Sequence, residues 1–368
     1  MFTQTGCTGR TPARSYRTME STNNFLQWVD IKNFKSIKDL RVDCKRVNVF
    51  IGKPNVGKSN ILEGLALLGA SLNHEKYLSG AVRYEELRDL FYDSDPTNPI
   101  NVFSNQINTV LQRSNIEEDS NDDKFALIKK NTEVTYYRNF SLTSKGKAFI
   151  AGSLETEEAE EKTDFEIYRS SQIKKYDFLN ISNFKASFSK YLLPHHGYNL
   201  YAVINKNKNL WEEVASLFKE QNLEFVLIDR EQRFVLQRRE GHVAKQYPYF
   251  SIADTFRRFI FYITAIESNK DSVIIFEEPE VHSFPPYTQE LAYRMIYDEN
   301  NQYFISTHSP YMLHPFIEKM NYSDLNVFIT YYKDYETHVR ALTEEELRDI
   351  LDYSTNIFFN LDKFEPNA

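Results

Sequence analysis

The 368-residue sequence is poor in cysteine and has no long apolar run. Its two cysteines, Cys7 and Cys44, exclude a disulfide framework and lack metal-ligand spacing, so reduced thiols are expected. No apolar stretch approaches the roughly 18 residues that a membrane helix needs, so we expect no membrane association and a cytoplasmic location. Sustained heptads are also missing, which excludes a long coiled coil.

The charge balance is acidic. A formal net charge of −8 argues against a general nucleic-acid coat, because such proteins carry a basic surface. A local basic groove is not excluded by this balance, so nucleic acid stays open as a partner. Apolar residues make up 41% of the chain, which is enough for a full core. The acidic stretches at 117–123 and 155–161 are predicted to be solvated loops.

The strongest motif is a phosphate-binding loop at residues 52–59, which matches G-x-x-x-x-G-K-S. A buried strand is predicted before it, at 47–51, and a helix after it, from 59 to 72. In this context Lys58 supplies a charge to the β- and γ-phosphates of ATP, and the Ser59 hydroxyl ligates Mg²⁺. The predicted nucleotide-binding residues are Gly52, Lys53, Pro54, Asn55, Val56, Gly57, Lys58, Ser59 and Asn60.

Two further polar sites follow predicted buried strands. The strand at 273–276 ends in Glu277 and Glu278, which places paired carboxylates at the carboxyl edge of the sheet. We expect Glu277, where this motif usually has Asp, to hold Mg²⁺ through water, and Glu278 to polarise the attacking water. The strand at 303–306 precedes His308, which is expected to contact the γ-phosphate and sense its loss.

These sites together resemble the RecF/SMC-like branch of the ABC ATPases, and within it the small stand-alone ATPases related to the OLD family. The phrases IKNFKS at 31–36 and NVFIG at 48–52 resemble the lead into that branch's P-loop, and EPE at 278–280 with THSP at 307–310 resembles its later motifs. The resemblance covers residues 26–72 and 247–315. It implies an α/β P-loop NTPase of the ABC type, with a mainly parallel core sheet, an N-terminal antiparallel β portion and an inserted α+β lobe.

The resemblance also implies a signature sequence that completes the ATP site of a partner subunit. The matching residue is Ser251, shortly before a predicted helix at 254–268, and it implies a head-to-tail dimer or a higher homo-oligomer. Ile252 and Ala253 stand where the signature usually has glycines. The Q-loop glutamine of the family is not identified, since Gln106 and Gln112 are candidates by chain order alone.

The predicted domain limits follow from these motifs. Residues 25–75 and 247–315 are assigned to a split ATPase core, 76–246 to an inserted lobe and 316–368 to a C-terminal extension. Residues 1–24 are assigned to a lead that is disordered or precedes the true start. The first eighteen residues contain three arginines and no acid, which is also compatible with a transit peptide.

Several functions share this core. The favoured one is an ATP-hydrolysing switch that controls a separate effector, such as a nuclease or toxin, in bacterial antiphage defence. The alternative is a RecF-like DNA repair ATPase that acts on DNA directly. A transporter subunit is disfavoured by the long separation of Ser59 from Ser251, and a scaffold without turnover by the catalytic acid.

The stretch after Pro310 is short, so the nuclease domain of OLD proteins is expected to be absent. It contains an apolar cluster that is expected either to pack onto the core or to dock the effector: Tyr353, Ile357, Phe358, Phe359 and Phe364.

Overall fold

The structure is a computed structural model that describes residues 23–70, 78, 80–114, 123–131, 137–145, 148–151, 171–184, 186–352 and 357–366. Four predictions lie outside these residues: the lead up to residue 22, the acidic stretch at 155–161, nearly all of the one at 117–123, and the placement of Tyr353.

The described residues form sixteen strands. They are β1 (Trp28–Phe34), β2 (Ile37–Asp43), β3 (Val47–Ile51), β4 (Ile100–Ser104), β5 (Ile107–Arg113), β6 (Lys124–Asn131), β7 (Tyr137–Thr143), β8 (Ala148–Ala151), β9 (Ile173–Tyr176), β10 (Glu224–Ile228), β11 (Arg233–Glu240), β12 (Val243–Pro248), β13 (Val273–Glu277), β14 (Gln302–Ser306), β15 (Leu325–Lys333) and β16 (Glu336–Ala341).

The α-helices of the described part are α1 (Lys58–Gly69), α2 (Leu200–Lys206), α3 (Lys208–Ser216), α4 (Asp254–Ser268), α5 (Pro285–Tyr297), α6 (Pro310–Lys319) and α7 (Glu344–Asp352). The helix predicted at 254–268 therefore has the limits of α4. Within the described residues, no helix combines the length and apolar character that crossing a membrane requires.

The core is a six-stranded sheet with the order β16-β15-β3-β14-β13-β9. Its strands are parallel except for the edge strand β16, which confirms the mainly parallel sheet. Strand β3 lies between β14 and β15, and all five of its residues are buried, as its apolar sequence predicts. Two of the parallel strands come from outside the predicted core ranges, because β9 precedes residue 247 and β15 follows residue 315.

A second sheet of seven antiparallel strands has the order β2-β1-β4-β5-β6-β7-β8. Its first two strands form the predicted N-terminal antiparallel portion, and β4 to β8 extend the same sheet. Helix α1 packs between the two sheets: Ile31 of β1, Leu65 of α1 and Ile275 of β13 share one apolar cluster. The segment predicted as an inserted lobe therefore supplies strands to both sheets.

The opposite face of the core sheet is covered by helices and a small sheet of β10, β11 and β12. Strands β10 and β11 pair with each other as an antiparallel hairpin. In the C-terminal cluster, Ile357 is fully buried and Phe358 and Phe364 pack against the same core, while Phe359 is 87% exposed. The described part of the cluster therefore packs mainly onto the core.

Candidate nucleotide site

The P-loop connects β3 to α1 through residues in unusual backbone conformations. Asn55 and Gly57 have φ values of 60° and 99°, in the left-handed region that favours glycine. A Cβ atom at Gly57 would lie 2.0 Å from the Thr337 hydroxyl, so this position requires glycine. Helix α1, all of which is described, has no side-chain cap and no acid in its first turn. Its positive end is therefore free to receive an anion.

Lys58 lies inside this loop. Its ammonium donates to the carbonyl oxygens of Gly52 at 3.0 Å and Lys53 at 2.8 Å. The side chain is buried, and burial lowers the pKa of Lys58, although the charges of Glu278 and Glu277 oppose this effect. The structure thus brings the P-loop lysine and both predicted carboxylates into one electrostatic environment.

Glu277 ends β13 and contacts both the P-loop helix and the sheet edge. Its Oε1 lies 3.0 Å from Nη2 of Arg83, and its Oε2 lies 3.1 Å from Nζ of Lys175. Burial would raise the pKa of Glu277, but the neighbouring Lys175, the Ser59 hydroxyl and Arg83 together lower it. Glu277 is therefore held as a carboxylate next to Ser59.

Glu278 and His308 face each other across the ends of β13 and β14. Nε2 of His308 lies 3.3 Å from Oε1 of Glu278. The backbone of Glu278 is left-handed, with φ of 44°, and its amide donates to the carbonyl and hydroxyl oxygens of Ser306 at 3.0 and 3.2 Å. Burial lowers the pKa of His308, Lys58 lowers it further, and Glu278 opposes them. A neutral imidazole thus lies beside a carboxylate.

Glu280 joins the loops that carry these two side chains, a role that the sequence did not reveal. Its Oε1 accepts from the Thr307 hydroxyl at 2.7 Å and from the His308 amide at 2.8 Å. Burial raises the pKa of Glu280, although both hydrogen bonds oppose this. The loop after β14 is therefore tied to the loop after β13, and this sets the position of His308.

A network of charges, in which Glu63 and Lys175 are buried, backs the site and was not predicted. Glu63 of α1 is fully buried; its Oε1 lies 2.6 Å from Nε of Arg83, and its Oε2 is paired with Lys35. Because Arg83 also contacts Glu277, and Glu277 contacts Lys175, five side chains form one chain of ion pairs. We call this the Glu63–Glu277 ion network. The one sign of this network in the sequence of α1 is Glu63, the only acid in that helix. It lies among apolar residues, and every residue from 61 to 68 is buried.

The C-terminal part of the chain contacts the P-loop from outside. The hydroxyl of Thr337 in β16 donates to the carbonyl of Val56 at 3.0 Å. The side chain of Lys53 is paired with Asp362 and lies 3.3 Å from Oε1 of Glu365. Asn60, which is predicted to bind nucleotide, donates to the Ser36 hydroxyl at 2.7 Å, so it bridges the loop helix and the β1–β2 turn.

Ser251 is the one predicted site residue that the structure does not bring to the P-loop. It is exposed, at the end of a 3₁₀ turn formed by Tyr249–Ser251, and α4 begins at Asp254. Within the described chain it has no hydrogen bond or ion pair with residues 52–60. Two contacts fix the start of α4. Asp254 forms an ion pair with Arg258 at 2.7 Å, and the Thr255 hydroxyl donates to the carbonyl of His282 at 2.7 Å.

The arrangement fits a nucleotide with Mg²⁺. A loop that leaves no room for a side chain at Gly52 or Gly57 leads into an uncapped helix, and a lysine ammonium lies inside the loop. The hydroxyl of Ser59 and the carboxylate of Glu277 are oxygen ligands of the kind that Mg²⁺ prefers. In nucleotide sites Mg²⁺ needs only one or two carboxylates, so the absence of a group of three metal-binding side chains among the described residues does not conflict with this fit.

Comparison with solved structures finds SMC head domains. A Smc head bound to the C-winged helix domain of ScpA is 13% identical, with 87% of this chain and 99% of that chain covered and a TM-score of 0.47. A Pyrococcus furiosus Smc head with an extended coiled coil, bound to the C-terminal domain of ScpA, is 12% identical, with 90% and 99% covered and a TM-score of 0.45. The SMC head domain from Thermotoga maritima is 10% identical, with 86% and 99% covered and a TM-score of 0.38.

A comparison with curated proteins finds no match. A scan against protein families matches residues 25–243, more than half of the chain, to the AAA ATPase domain. The matched range begins before β1 and contains the whole P-loop and α1. This match confirms the ATPase class that the sequence motifs predicted. The chain therefore belongs to the AAA ATPase domain family.

Proposed function

We propose that this protein binds ATP with Mg²⁺ and hydrolyses it slowly, with Glu278 as the catalytic carboxylate and His308 as the sensor of the γ-phosphate. The observation that carries this proposal is the 3.3 Å contact between Glu278 and His308, in the electrostatic environment of Lys58. Both side chains are 37% exposed and so are accessible to a substrate.

The phosphates bind along residues 52–60, where the uncapped end of α1 and the ammonium of Lys58 favour negative charge. The bonds of Lys58 to the loop carbonyls are exchanged for bonds to phosphate oxygens. Ser59 and Glu277 hold Mg²⁺, which neutralises phosphate charge when it is bound. Glu278 accepts a hydrogen bond from the attacking water and polarises it.

His308 acts through its neutral form. Because burial and Lys58 lower its pKa, the imidazole at neutral pH carries one N–H and one free nitrogen. With the N–H on Nε2 it donates to Glu278 when no nucleotide is bound and to a γ-phosphate oxygen when ATP is bound, so this one N–H senses the γ-phosphate. The bonds from Thr307 and the His308 amide to Glu280 keep the imidazole in this place.

The ATPase cycle is proposed to close and open a head-to-tail homodimer, or a higher oligomer, in the cytoplasm. The position of Ser251 supports this, since it is exposed at a helix start and apart from its own P-loop. In the dimer it donates to the γ-phosphate held by the partner subunit, with the dipole of α4 behind it. The cycle is proposed to control a separate effector, a nuclease or toxin, in bacterial antiphage defence, which rests on the resemblance to OLD-related ATPases.

Phosphate release by purified protein tests the enzymatic part. Wild-type protein with ATP and Mg²⁺ should release phosphate, and Lys58→Ala should release none. The variant should also bind ATP at least tenfold more weakly, since each charge-assisted phosphate bond contributes about 1.5–3 kcal/mol. Unchanged ATP affinity in Lys58→Ala, measured by calorimetric titration, would remove the P-loop assignment.

Light scattering tests the dimer. Glu278→Gln protein, which should retain ATP, is expected to double its mass when ATP and Mg²⁺ are added. The double variant Glu278→Gln, Ser251→Arg should keep one mass when ATP is added. The double variant Glu278→Gln, Ser251→Thr, which keeps the hydroxyl at position 251, should still double its mass. A single mass with and without ATP would contradict a nucleotide-gated dimer. Cleavage of plasmid or linear DNA by pure protein, if it persisted in Lys58→Ala, would contradict the need for a separate effector.

A further inference from the structure

Lys175 reaches Glu277 because of the strand register. Strands β9 and β13 are parallel, and Lys175 is paired with Ile275. Glu277 lies two residues further along β13, so Ile275 and Glu277 are on the same face of the sheet as Lys175. The lysine side chain extends along that face, and Nζ ends 3.1 Å from Oε2 of Glu277. Only 4% of this side chain is exposed, so the ammonium is a fixed part of the site.

Both oxygens of the Glu277 carboxylate are thereby paired with cations. Lys175 holds Oε2, and Arg83 lies 3.0 Å from Oε1. The Glu63–Glu277 ion network contains three cations and two carboxylates, so it has one positive charge in excess. Breaking the enclosed Lys175–Glu277 pair would leave an uncompensated buried charge, so Lys175 is bound firmly.

The two cations differ in access to the site. Lys175 is enclosed, whereas 66% of the Arg83 side chain is exposed. Arg83 is anchored by its Nε to Glu63 at 2.6 Å and uses Nη2 for Glu277, and a guanidinium offers five donors in all. Arg83 therefore has donors left for phosphate oxygens while it keeps its carboxylate partners.

On the basis of the proposed function, we propose that Lys175 and Arg83 are resident cations that supply part of the charge that Mg²⁺ provides in ATP binding. Mg²⁺ meets a carboxylate that is already neutralised, and metal-free ATP meets a site with an excess of positive charge. ATP without metal therefore binds within about tenfold of the affinity of ATP with Mg²⁺, a modest difference of about 1.4 kcal/mol. Lys175 is a positioning residue in this scheme, since it acts through Glu277.

The test compares ATP affinity in Mg²⁺ with ATP affinity in EDTA, by calorimetric titration of the full chain. In Lys175→Met the affinity in EDTA should fall at least tenfold, because positive charge is lost. The affinity in Mg²⁺ should stay the same or increase, because Glu277 is then free for the metal. The ratio of ATP affinity in Mg²⁺ to ATP affinity in EDTA should therefore be at least tenfold higher in Lys175→Met than in wild-type protein.

The neighbouring lysine gives a matched control. Lys174 is equally buried, but it lies on the opposite face of β9, donates to the Ser272 hydroxyl at 2.9 Å and sits over the Tyr191 ring at 4.2 Å. Lys174→Met removes a buried ammonium from the same strand without touching Glu277. Its ratio of affinities should equal that of wild-type protein, whatever it does to stability.

Three results would overturn this inference. One is a wild-type ratio above about a hundredfold; the second is equal weakening of ATP binding by Lys175→Met in Mg²⁺ and in EDTA, which is what a structural role gives. If Lys175→Met does not fold, Arg83→Gln is tested in its place, because Arg83 is the more exposed of the two cations that contact Glu277. The third result is a ratio of affinities in Arg83→Gln that equals the wild-type ratio. A wild-type protein that binds no ATP in either condition refutes the proposed function itself, whereas ATP binding with an unchanged ratio refutes only the present inference.

Discussion

Replacing Thr337 with valine removes one hydroxyl from beneath the P-loop and keeps the shape of the side chain. Thr337 is buried, and its hydroxyl donates to the carbonyl of Val56 at 3.0 Å. The same oxygen lies 2.6 Å from the hydroxyl of Ser36, which in turn accepts from Asn60. Since the Thr337 hydrogen is used for Val56, Ser36 is the donor in their shared bond. Thr337 therefore links β16, the P-loop and the β1–β2 turn.

The expected loss of stability follows from these bonds. Each net hydrogen bond contributes about 1 kcal/mol, and a buried carbonyl left without a donor costs about 1–3 kcal/mol. Thr337→Val should therefore lower the free energy of unfolding by about 2–3 kcal/mol, measured by urea unfolding without nucleotide. Because the carbonyl of Val56 fixes the backbone next to Gly57, ATP affinity should also fall about fivefold, equivalent to about 1 kcal/mol.

The neighbouring strand offers a matched control. Thr330 in β15 is fully buried, and its hydroxyl has no hydrogen-bond partner among the described residues. The same substitution there, Thr330→Val, removes an unpaired polar atom and should leave stability unchanged or raise it slightly. If the two valine variants unfold at the same urea concentration, or if Thr337→Val lowers the free energy of unfolding by less than about 0.5 kcal/mol, the Thr337 hydroxyl does not stabilise the P-loop as described.

Two further predictions concern pH and the C-terminal acids. Burial lowers the pKa of His195 to about 3, below its ordinary value of 6.5, so the unfolded chain takes up the proton first as pH falls. His195 should therefore cost the fold about 2 kcal/mol between pH 7 and pH 5, and His195→Asn should show a correspondingly smaller pH dependence in urea unfolding. The exposed Asp362 and the half-buried Glu365 pair with Lys53 of the P-loop. The double variant Asp362→Asn, Glu365→Gln should bind ATP about threefold more tightly, within the range of exposed ion pairs; weaker binding would show that these acids support the loop.

Local sequence patterns were sufficient to predict the strands and the helix that carry the main motifs. The P-loop lies between β3 and α1, the paired glutamates end β13, and His308 follows β14, as predicted. Each of these features depends on a short apolar run with a polar residue at its end, so it is visible without knowing which strands are neighbours. The roles of these residues in ATP chemistry stay predictions, and so do the domain limits.

Strand pairing between distant segments could not be read from such patterns. Strand β9 is a short run with two lysines, and its place beside β13 becomes evident only from the sheet order. The pairing buries both lysines, whereas in a sequence they resemble surface residues. Likewise, β15 lies within the predicted C-terminal extension, but it is parallel to β3. Its position brings the following β16, with Thr337, against the P-loop.

The ion network was missed for the same reason. Glu63 looked like one polar residue of an amphipathic helix, although α1 is buried on every side by the two sheets. A charge on such a helix needs partners, and these came from Lys35 before the P-loop and Arg83 well after it. Neither partner could be chosen from a single sequence, because both belong to loops whose direction depends on the assembled sheets.

Single-turnover hydrolysis of bound ATP measures whether Glu278 is the catalytic carboxylate of this ATPase. Glu278→Gln keeps the shape of the side chain and its bond to His308 but loses the charge that polarises water. This variant should bind ATP with wild-type affinity and hydrolyse it at least tenfold more slowly, a rise in the barrier of about 1.4 kcal/mol or more. A hydrolysis rate equal to that of wild-type protein would show that Glu278 is not the catalytic carboxylate.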